Sequence, residues 1–184
     1  MGNKDNFSNI AAIYDENLNA LYSYALHLGF DEQTSMDAIH DVFYKICIMN
    51  TNIFELSNIK SYLFRAVRNR LIDIKRVNKI FDDNFEIEES ETNLPFQLNV
   101  TVEDEFIEKE DSEEIKRKVE NVLNNLTDRQ REIVFLRYIQ EHSYEEIAEI
   151  MNMTIESSRN LISRSLLKLK ETNLPSYILL FILH

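Results

Sequence analysis

The sequence has 184 residues and a formal net charge of −12, and its length allows one ordinary domain or two small ones. It contains only two glycines and two prolines, so it lacks the turn residues that hairpins and strand–helix crossovers need, and an all-α fold is predicted. A single cysteine, Cys47, excludes an intrachain disulfide, and with four scattered histidines it gives too few ligands for a zinc site, so no cofactor is predicted and a reducing cytoplasm fits.

Three amphipathic helices are predicted in the N-terminal region. The start, MGNKDNFSNI, lacks the apolar core of a signal peptide. The first helix covers residues 7–29, the second opens at Asp31, and the third follows a cap at Ser57. The inward residues of the first two helices are predicted to be Phe7, Ile10, Ile13, Tyr14, Leu18, Leu21 and Tyr24, then Met36, Ile39, Phe43 and Ile46.

The third helix carries a predicted basic face. Residues 57–80 hold seven basic side chains and one acidic side chain. At about 100° per residue, one side collects Ser61, Arg65, Arg68, Ile72, Arg76 and Lys79, and the other collects Ile59, Leu63, Ala66, Val67, Ile74 and Val77. Basic residues beside Phe54, Tyr62 and Phe64 suit unstacked bases, so a single-stranded nucleic-acid site is predicted. The alternative is that Tyr62 and Phe64 are core residues and that the basic side of the helix is only a solvated face. Arg70 falls on the apolar side, which predicts a buried pair with Asp41 or Asp73.

The net charge is concentrated between the two ends of the chain. Residues 1–80 contain 9 acidic and 9 basic side chains, residues 81–120 contain 15 and 4, and residues 121–184 contain 8 and 7. The acidic stretch repels itself and lacks sustained helical periodicity before Ser112. We therefore predict a mobile acidic linker over residues 81–111, between helical domains of residues 1–80 and 112–184, and expect its acids to screen both basic faces in the free protein.

Four helices are predicted after the linker, each with its own start or apolar pattern. The first covers residues 112–124, with Ile115, Val119, Val122 and Leu123 on one side. Capping boxes at Thr127 and Ser143 start the next two, and Thr154 caps the last after the break MNM. The predicted buried residues of these three are Ile133, Val134, Leu136 and Tyr138; Ile147, Ala148, Ile150 and Met151; and Ile155, Ile162, Leu166 and Leu169.

The opposite side of the last helix is polar and basic. It carries Glu156, Arg159, Asn160, Ser163 and Arg164. Two capped helices joined by a tight turn form a helix-turn-helix, whose second helix enters a major groove. Arg and Asn can read guanine and adenine edges by paired hydrogen bonds. The alternative is the solvated face of a bundle helix, but the two caps and the short turn together favour DNA.

The remaining sequence signals are negative. The apolar end SYILLFILH spans less than half of the roughly 20 residues that cross a bilayer, so it is expected to pack on the C-terminal domain and no membrane span is predicted. The chain shows no phosphate-cradling glycine loop, nucleophile elbow or HExxH motif. An enzyme is therefore the least supported class.

Three stretches in this order resemble the sigma factors of bacterial RNA polymerase, of the two-domain extracytoplasmic-function (ECF) type. They are MDAIHDVFYKI, IKSYLFRAVRNRLIDIKR and LTDRQREIVFLRYIQEHSYEEIAEIMNMTIESSRNLISRSLLKLK. The resemblance implies that the chain binds core RNA polymerase and directs promoter recognition and transcription initiation. It also implies that the acidic linker threads the channel used by RNA, the alternative being a solvated tether, and it allows an anti-sigma factor as a further partner.

The resemblance assigns three sets of residues. The DAIHDVF helix would dock on the polymerase through Asp37, Asp41, Val42, Phe43 and Lys45. The loop from Asn50 to Ser57 and the next helix would capture a flipped base of the melted promoter, with Asn58, Lys60, Ser61, Tyr62, Arg65, Arg68, Asn69 and Arg76 as candidates. The last helix would read upstream duplex through Ser157, Arg159, Asn160, Ser163 and Arg164.

The sequence departs from the family pattern at two places in the helix-turn-helix. Ser157 and Ser158 stand where a Thr and an apolar residue are usual, which predicts a looser or slightly rotated helix entry. Asn152 stands for the usual turn glycine, and it can also adopt left-handed geometry. Two alternatives stay open, namely a polymerase-independent helix-turn-helix regulator and a helical module that binds an acidic protein.

Overall fold

A computed structural model of the protein describes residues 2–48, 57–81, 94–97 and 121–171. All secondary structure in these ranges is helical, which confirms the predicted all-α class. The chain divides between Leu94 and Pro95 into two compact units. Among the described residues, no helix is long and apolar enough to cross a membrane. The predicted domain limits stay a prediction, and most of the predicted linker and the apolar end at residues 176–184 lie outside the described ranges.

The described residues of the N-terminal unit form three helices that contact one another pairwise. They are α1 (Gly2–His27), α2 (Glu32–Ile48) and α3 (Ile59–Phe81). The Tyr24 and Phe64 rings meet at the centre with centroids 5.0 Å apart, and both are fully buried. Ile10, Ile13, Leu21, Ile39, Phe43 and Ile46 are buried as predicted, while Tyr14, Leu18 and Met36 are half-buried. The Phe7 side chain lies outside the described residues.

Side-chain caps start the second and third helices. The Asp31 carboxylate accepts hydrogen bonds from the Thr34 amide at 2.9 Å and the Thr34 hydroxyl at 2.7 Å, which confirms the predicted start of α2. These bonds favour the charged form and hold the pKa of Asp31 below its ordinary value. The predicted cap of α3 at Ser57 is wrong, because Asn58 Oδ1 accepts from the Ser61 amide at 2.9 Å. An Asn side chain satisfies this otherwise unpaired amide well.

The described C-terminal unit contains α4 (Asp128–Val134), a π-helical turn that continues it (Phe135–Ile139), α5 (Tyr144–Ile150) and α6 (Ile155–Glu171). The reciprocal hydrogen bonds of both predicted capping boxes are present at Thr127 and Ser143. The predicted buried residues of α4 and α5 are confirmed, except that Tyr138 is half-buried. Residues 121–124 are helical, but residues 112–120 of that predicted helix lie outside the described ranges.

One short stretch of the predicted linker is fixed on the C-terminal unit. The Phe96 amide donates to Asp128 Oδ1 at 3.1 Å, and its carbonyl accepts from Arg131 Nε at 2.6 Å. The Phe96 ring is fully buried, with its centroid 5.4 Å from that of Phe135. The prediction of a mobile linker is therefore wrong for Phe96, because an aromatic ring that leaves water for a packed site overcomes the repulsion of the acidic residues around it.

The turn between α5 and α6 depends on a left-handed residue. Asn152 has φ 50°, as the sequence predicted for this position, and it is exposed. The Met153 amide donates to the Ala148 carbonyl at 2.9 Å, which closes the end of α5. On the other side of the turn the Ser157 amide donates to Thr154 Oγ1 at 3.1 Å, which confirms Thr154 as the cap of α6. The turn is thus closed on both sides of Asn152.

Replacing Asn152 tests this geometry. We expect Asn152→Ala to lower the free energy of unfolding by about 1 kcal/mol, because Ala adopts positive φ less readily than Asn. Asn152→Gly is the matched control and should leave stability unchanged or slightly raised. Urea unfolding followed by circular dichroism compares the two variants. Equal stability of the Ala and Gly variants would show that the positive φ is not a constraint in solution.

Candidate nucleic-acid interface

The outer face of α6 is a continuous polar and basic surface on the described part of the C-terminal unit. Glu156, Ser157, Arg159, Asn160, Ser163 and Arg164 are all exposed. They fall on one side of the helix because their spacings of three and four residues each return close to the same angle. The structure therefore brings together every residue that the sequence assigned to duplex reading.

The inner face of α6 differs from the predicted apolar stripe. Ser158, Ile162, Ser165 and Leu169 are its buried residues, at spacings of four, three and four. Ile155 is 42% exposed and Leu166 is half-buried, so both predicted members were misplaced. Small serines allow α6 to approach α4 and α5, which both contact it. Ser158 occupies this buried line, and the looser or slightly rotated helix entry stays a prediction.

Arg159 is held at the exposed surface by residues of α5. Its guanidinium lies 5.5 Å from the centroid of the Tyr144 ring, and its NH2 group lies 3.3 Å from Glu145 Oε1. Arg137 also lies over the Tyr144 ring, at 4.8 Å, and donates to the His142 carbonyl at 2.8 Å. An exposed ion pair contributes less than about 1 kcal/mol, so Arg159 can exchange Glu145 for a base edge. Sequence reasoning missed Tyr144 and Glu145, since their contacts join two helices.

The predicted basic face of α3 is wrong in its orientation. Arg68 is 4% exposed and Ser61 is 2% exposed, and Ile72 is buried as well. The helix contacts both α1 and α2, so its buried arc covers about half of its circumference and includes these residues, which the sequence placed outside. Phe64 belongs to the core, which was the alternative considered for it. Ser61 and Arg68 are therefore not part of an exposed nucleic-acid surface in this structure.

The exposed arc of α3 is centred near Asn69. Arg65, Asn69, Asp73 and Arg76 are exposed, and Tyr62 is half-buried beside them. Arg76 NH1 lies 4.0 Å from Asp73 Oδ1, so one acid lies among these cations. Lys60 lies 5.9 Å from the Phe64 ring centroid at the start of the helix, near the capping Asn58. The exposed arc therefore carries cationic and aromatic side chains. It has fewer exposed cations than the sequence predicted, because Arg68 is buried and Asp73 lies beside Arg76.

Paired variants of α3 test this corrected orientation. We expect Arg68→Ala to lower the free energy of unfolding by about 1–2 kcal/mol, because its buried neighbours lose a packed and polar partner. Arg65→Ala, on the exposed arc, should change stability by less than about 0.5 kcal/mol while weakening binding to single-stranded promoter DNA. Urea unfolding and fluorescence anisotropy measure the two effects. If Arg65→Ala lowered stability and Arg68→Ala weakened DNA binding instead, the orientation predicted from the sequence would be correct.

The exposed side of α2 forms a third surface. Asp37, His40, Tyr44, Lys45 and Ile48 are exposed, and Asp41 is half-buried. Val42 and Phe43, which the resemblance assigned to polymerase contact, are each 6% exposed and belong to the core. Tyr44 is 66% exposed and Ile48 is 60% exposed, although both are large and apolar. Sequence reasoning missed them, even though positions 37, 41, 44, 45 and 48 recur at helical spacing.

An ion pair links this surface to α3. Arg70 Nε donates to Asp41 Oδ2 at 2.8 Å, and Arg70 NH2 lies 2.7 Å from the same oxygen. The predicted partner Asp41 is therefore confirmed, but the pair is partly exposed, with side-chain exposures of 34% for Arg70 and 45% for Asp41. Arg70 neutralises Asp41 at the edge of the α2 surface and fixes α2 against α3. The loop at residues 50–56, assigned to base capture, lies outside the described residues.

Comparison with known proteins covers both units. Residues 116–169, which include α4, α5 and most of α6, match the family model described as Sigma-70, region 4. The ECF RNA polymerase sigma factor SigM of Bacillus subtilis (strain 168) is 26% identical over 161 residues, which cover 88% of this chain and 93% of SigM. The RNA polymerase sigma factor YlaC of the same strain is 27% identical over 164 residues, 86% of each protein.

A solved structure shares the fold. It is the complex of the sigma factor RpoE with the anti-sigma factor NepR from Bartonella quintana. The match to this structure has a TM-score of 0.60 at 22% identity and covers 89% of this chain and 96% of that chain. At this sequence identity, the match shows that the two proteins share a fold.

Proposed function

We propose that the chain is an extracytoplasmic-function sigma factor of bacterial RNA polymerase and that it uses three separate helix faces to do the work of that family. It binds core RNA polymerase and directs promoter recognition and transcription initiation. The faces are the outer side of α6, the exposed arc of α3 and the exposed side of α2. The single observation that carries the proposal is the exposed polar face of α6, presented by two capped helices within the matched region.

The α6 face is proposed to read the upstream promoter element as duplex. Arg159, Asn160 and Arg164 carry the donors and acceptors that suit base edges in a major groove, and each good paired contact discriminates by roughly 1–3 kcal/mol. Ser157 and Ser163 have short hydroxyl side chains, which suit phosphate or base contacts at either side of the helix. The Tyr144 ring, 5.5 Å from the Arg159 guanidinium, restricts the movement of that side chain, which lowers the entropy lost on binding.

The exposed arc of α3 is proposed to bind the melted strand. Tyr62, Arg65, Asn69 and Arg76 provide one aromatic face, two cations and one amide on neighbouring turns. Bases stack on aromatic side chains with roughly 1–3 kcal/mol each, and cations near the backbone add a salt-dependent attraction. Asn58 and Lys60 at the start of the helix are further candidates, although Asn58 also caps α3.

The exposed side of α2 is proposed to dock on core polymerase. Exposed aromatic and aliphatic side chains with charged neighbours are typical of an interface centre with a polar rim. Tyr44 and Ile48 would fill the centre, and Asp37 and Lys45 would lie at its rim. Asp41, already paired with Arg70, would contribute less than the sequence predicted. Val42 and Phe43 would act by holding α2 in place from inside the N-terminal unit.

Reconstitution with core polymerase tests the proposed function. The purified chain should co-elute with core polymerase and should make that enzyme start transcription at discrete promoters that core polymerase alone ignores. The double variant Arg159→Ala/Arg164→Ala should still co-elute but should lose promoter selection. A chain that does not associate with core polymerase, or that binds an operator stably by itself as a dimer, would instead support a polymerase-independent regulator.

The remaining parts of the proposal concern partners and location. An ECF sigma factor acts with RNA polymerase on the chromosome, which agrees with the cytoplasmic location predicted from composition. The RpoE relative was solved with an anti-sigma factor, so a protein of that kind is a reasonable partner for this chain. No catalytic step is assigned to the chain, since the proposed work is binding and positioning.

A further inference from the structure

We propose that Arg159 and Glu145 read one G·C base pair of the upstream element together, with the guanidinium on guanine and the carboxylate on cytosine. This joint contact belongs to the duplex reading proposed for α6 and therefore rests on the proposed function. It makes Glu145 a residue that determines specificity, although an acidic side chain by itself weakens binding to the phosphates of DNA.

Glu145 is held at the start of α5, next to the outer face of α6. The reciprocal hydrogen bonds of the Ser143 capping box fix the first turn of α5, which contains Glu145. Glu145 Oε1 accepts a hydrogen bond from the NH2 group of Arg159 at 3.3 Å. The ring of the preceding residue, Tyr144, lies 5.5 Å from the same guanidinium. The side chains of Arg159 and Glu145 are 61% and 54% exposed, so a DNA duplex can reach both charged groups.

The two charged groups match the major-groove edge of a G·C pair. On that edge guanine presents the acceptors N7 and O6, and cytosine presents the donor N4. O6 and N4 are hydrogen-bonded to each other within the base pair, so they lie about 2.7–3.2 Å apart. The Arg159 donor and the Glu145 acceptor lie 3.3 Å apart. The protein therefore offers a donor for O6 and an acceptor for N4 at nearly the same separation.

The ion pair does not have to break when the base pair binds. A guanidinium carries five N–H donors, so Arg159 can donate to N7 and O6 of guanine while another N–H stays on Glu145. The cytosine N4 amino group has two hydrogens, of which one stays in the base pair and one faces the groove. The Glu145 carboxylate has enough acceptor positions for that second hydrogen and for Arg159. Because the two side chains together are neutral, the joint contact adds sequence discrimination and little attraction to phosphates.

The other three base pairs fit these two side chains less well. A C·G pair reverses the edge, so the N4 donor faces the Arg159 donors and the O6 acceptor faces the Glu145 carboxylate. An A·T pair also places a donor, N6, before an acceptor, O4. A T·A pair keeps the favourable order through O4 and N6, but a methyl group replaces the N7 acceptor. The expected order of affinity is therefore G·C, then T·A, then A·T and C·G.

Binding of promoter duplexes to holoenzyme that contains the full-length chain tests the joint contact. All four base pairs are placed in turn at each position of the upstream element, and the position read by Arg159 is the one whose preference Arg159→Ala reduces most. There Glu145→Ala should lower the ratio of affinities for G·C over C·G by about fivefold to tenfold. It should also strengthen binding to scrambled elements slightly, because it removes an acid. Glu149→Ala is the matched control, since Glu149 is an exposed acid one turn further along α5, and it should leave the ratio unchanged.

A chemical change in the DNA provides a second measurement. N4-methylcytosine at this position keeps the base pair, but its methyl group replaces the N4 hydrogen that faces the groove. It should weaken binding of the parent holoenzyme about fivefold, because the Glu145 carboxylate loses its donor. It should leave the affinity of the Glu145→Ala holoenzyme unchanged.

The two measurements separate failure of the joint contact from failure of the proposed function. An affinity ratio that Glu145→Ala leaves unchanged, or an equal effect of the methyl group on both holoenzymes, would overturn the joint contact while Arg159 remained a base-reading residue. If Arg159→Ala instead kept the parent's preference at every position, the base reading proposed for α6 would be contradicted, and the joint contact would be overturned with it.

Discussion

Replacing Tyr44 and Ile48 together with alanine is expected to weaken association with core polymerase by about 100-fold, or roughly 2.7 kcal/mol. Both side chains are more than half exposed and sit on neighbouring turns of α2, so their removal takes away the apolar centre of the proposed docking face. Neither contributes to the buried core of the N-terminal unit. The effect should therefore appear in binding and not in folding.

Titration of labelled core polymerase with the double variant measures this loss. Leu26→Ala is the matched control, since Leu26 is an exposed apolar residue of the same unit on α1, and it should change the affinity by less than about twofold. Circular dichroism should show that both variants keep their helices. If the double variant binds as tightly as the parent chain, then α2 does not dock through this face.

Arg159→Ala is the substitution with the largest expected effect on promoter choice. It should reduce holoenzyme binding at the cognate upstream element by between about fivefold and 150-fold, which corresponds to one good paired base contact of roughly 1–3 kcal/mol. Arg159→Lys should recover little of this, because an ammonium group cannot make the paired hydrogen bonds of a guanidinium. The folded state should be unaffected, since the ion pair with Glu145 is exposed.

The matching control for Arg159 is Lys170→Ala, which removes an exposed cation near the other end of α6. Competition binding on promoters with an intact or scrambled upstream element separates the two effects. Arg159→Ala should lower the ratio of affinities between the two promoters, whereas Lys170→Ala should weaken both equally and only at low salt. An unchanged ratio for Arg159→Ala would remove Arg159 from base reading.

The sequence predicted the C-terminal unit more accurately than the N-terminal one, for a local reason. Capping boxes depend on residues three apart, so Thr127 and Ser143 could be recognised without knowing the rest of the fold. The polar face of α6 is wide, and its residues were predicted correctly even though Ile155 was wrongly predicted to be buried. The buried line of α6 is narrow, so small errors in its predicted orientation leave the outer residues exposed.

The orientation of α3 could not be predicted because it depends on two packing partners. A helix between α1 and α2 buries about half of its circumference, and the hydrophobic pattern alone does not show that Arg68 and Ser61 fall inside that half. Phe64 is the residue from which the true orientation of α3 could have been inferred. A large aromatic residue three or four positions from Ser61 and Arg68 shares their side of the helix, so a buried Phe64 brings both into the core.

Phe96 could have been found from the sequence by contrast with its surroundings. The stretch NLPFQL places Leu94, Phe96 and Leu98 at alternate positions, in a segment otherwise rich in acidic residues. Alternation of this kind suits an extended segment with one face against protein. What the sequence could not show is the site that receives the ring, because Asp128, Arg131 and Phe135 come together only when α4 folds against residues 121–126.

The central claim is that two exposed faces, on α6 and on α3, contact different parts of one promoter. Photo-crosslinking from single reactive side chains at Arg159 and at Arg65 tests it most directly, in the complex of the full-length chain with core polymerase and promoter DNA. The account predicts that position 159 crosslinks to the upstream duplex element and that position 65 crosslinks to the melted strand near the start site. Crosslinks from both positions to the same element, or from neither to DNA, would contradict it.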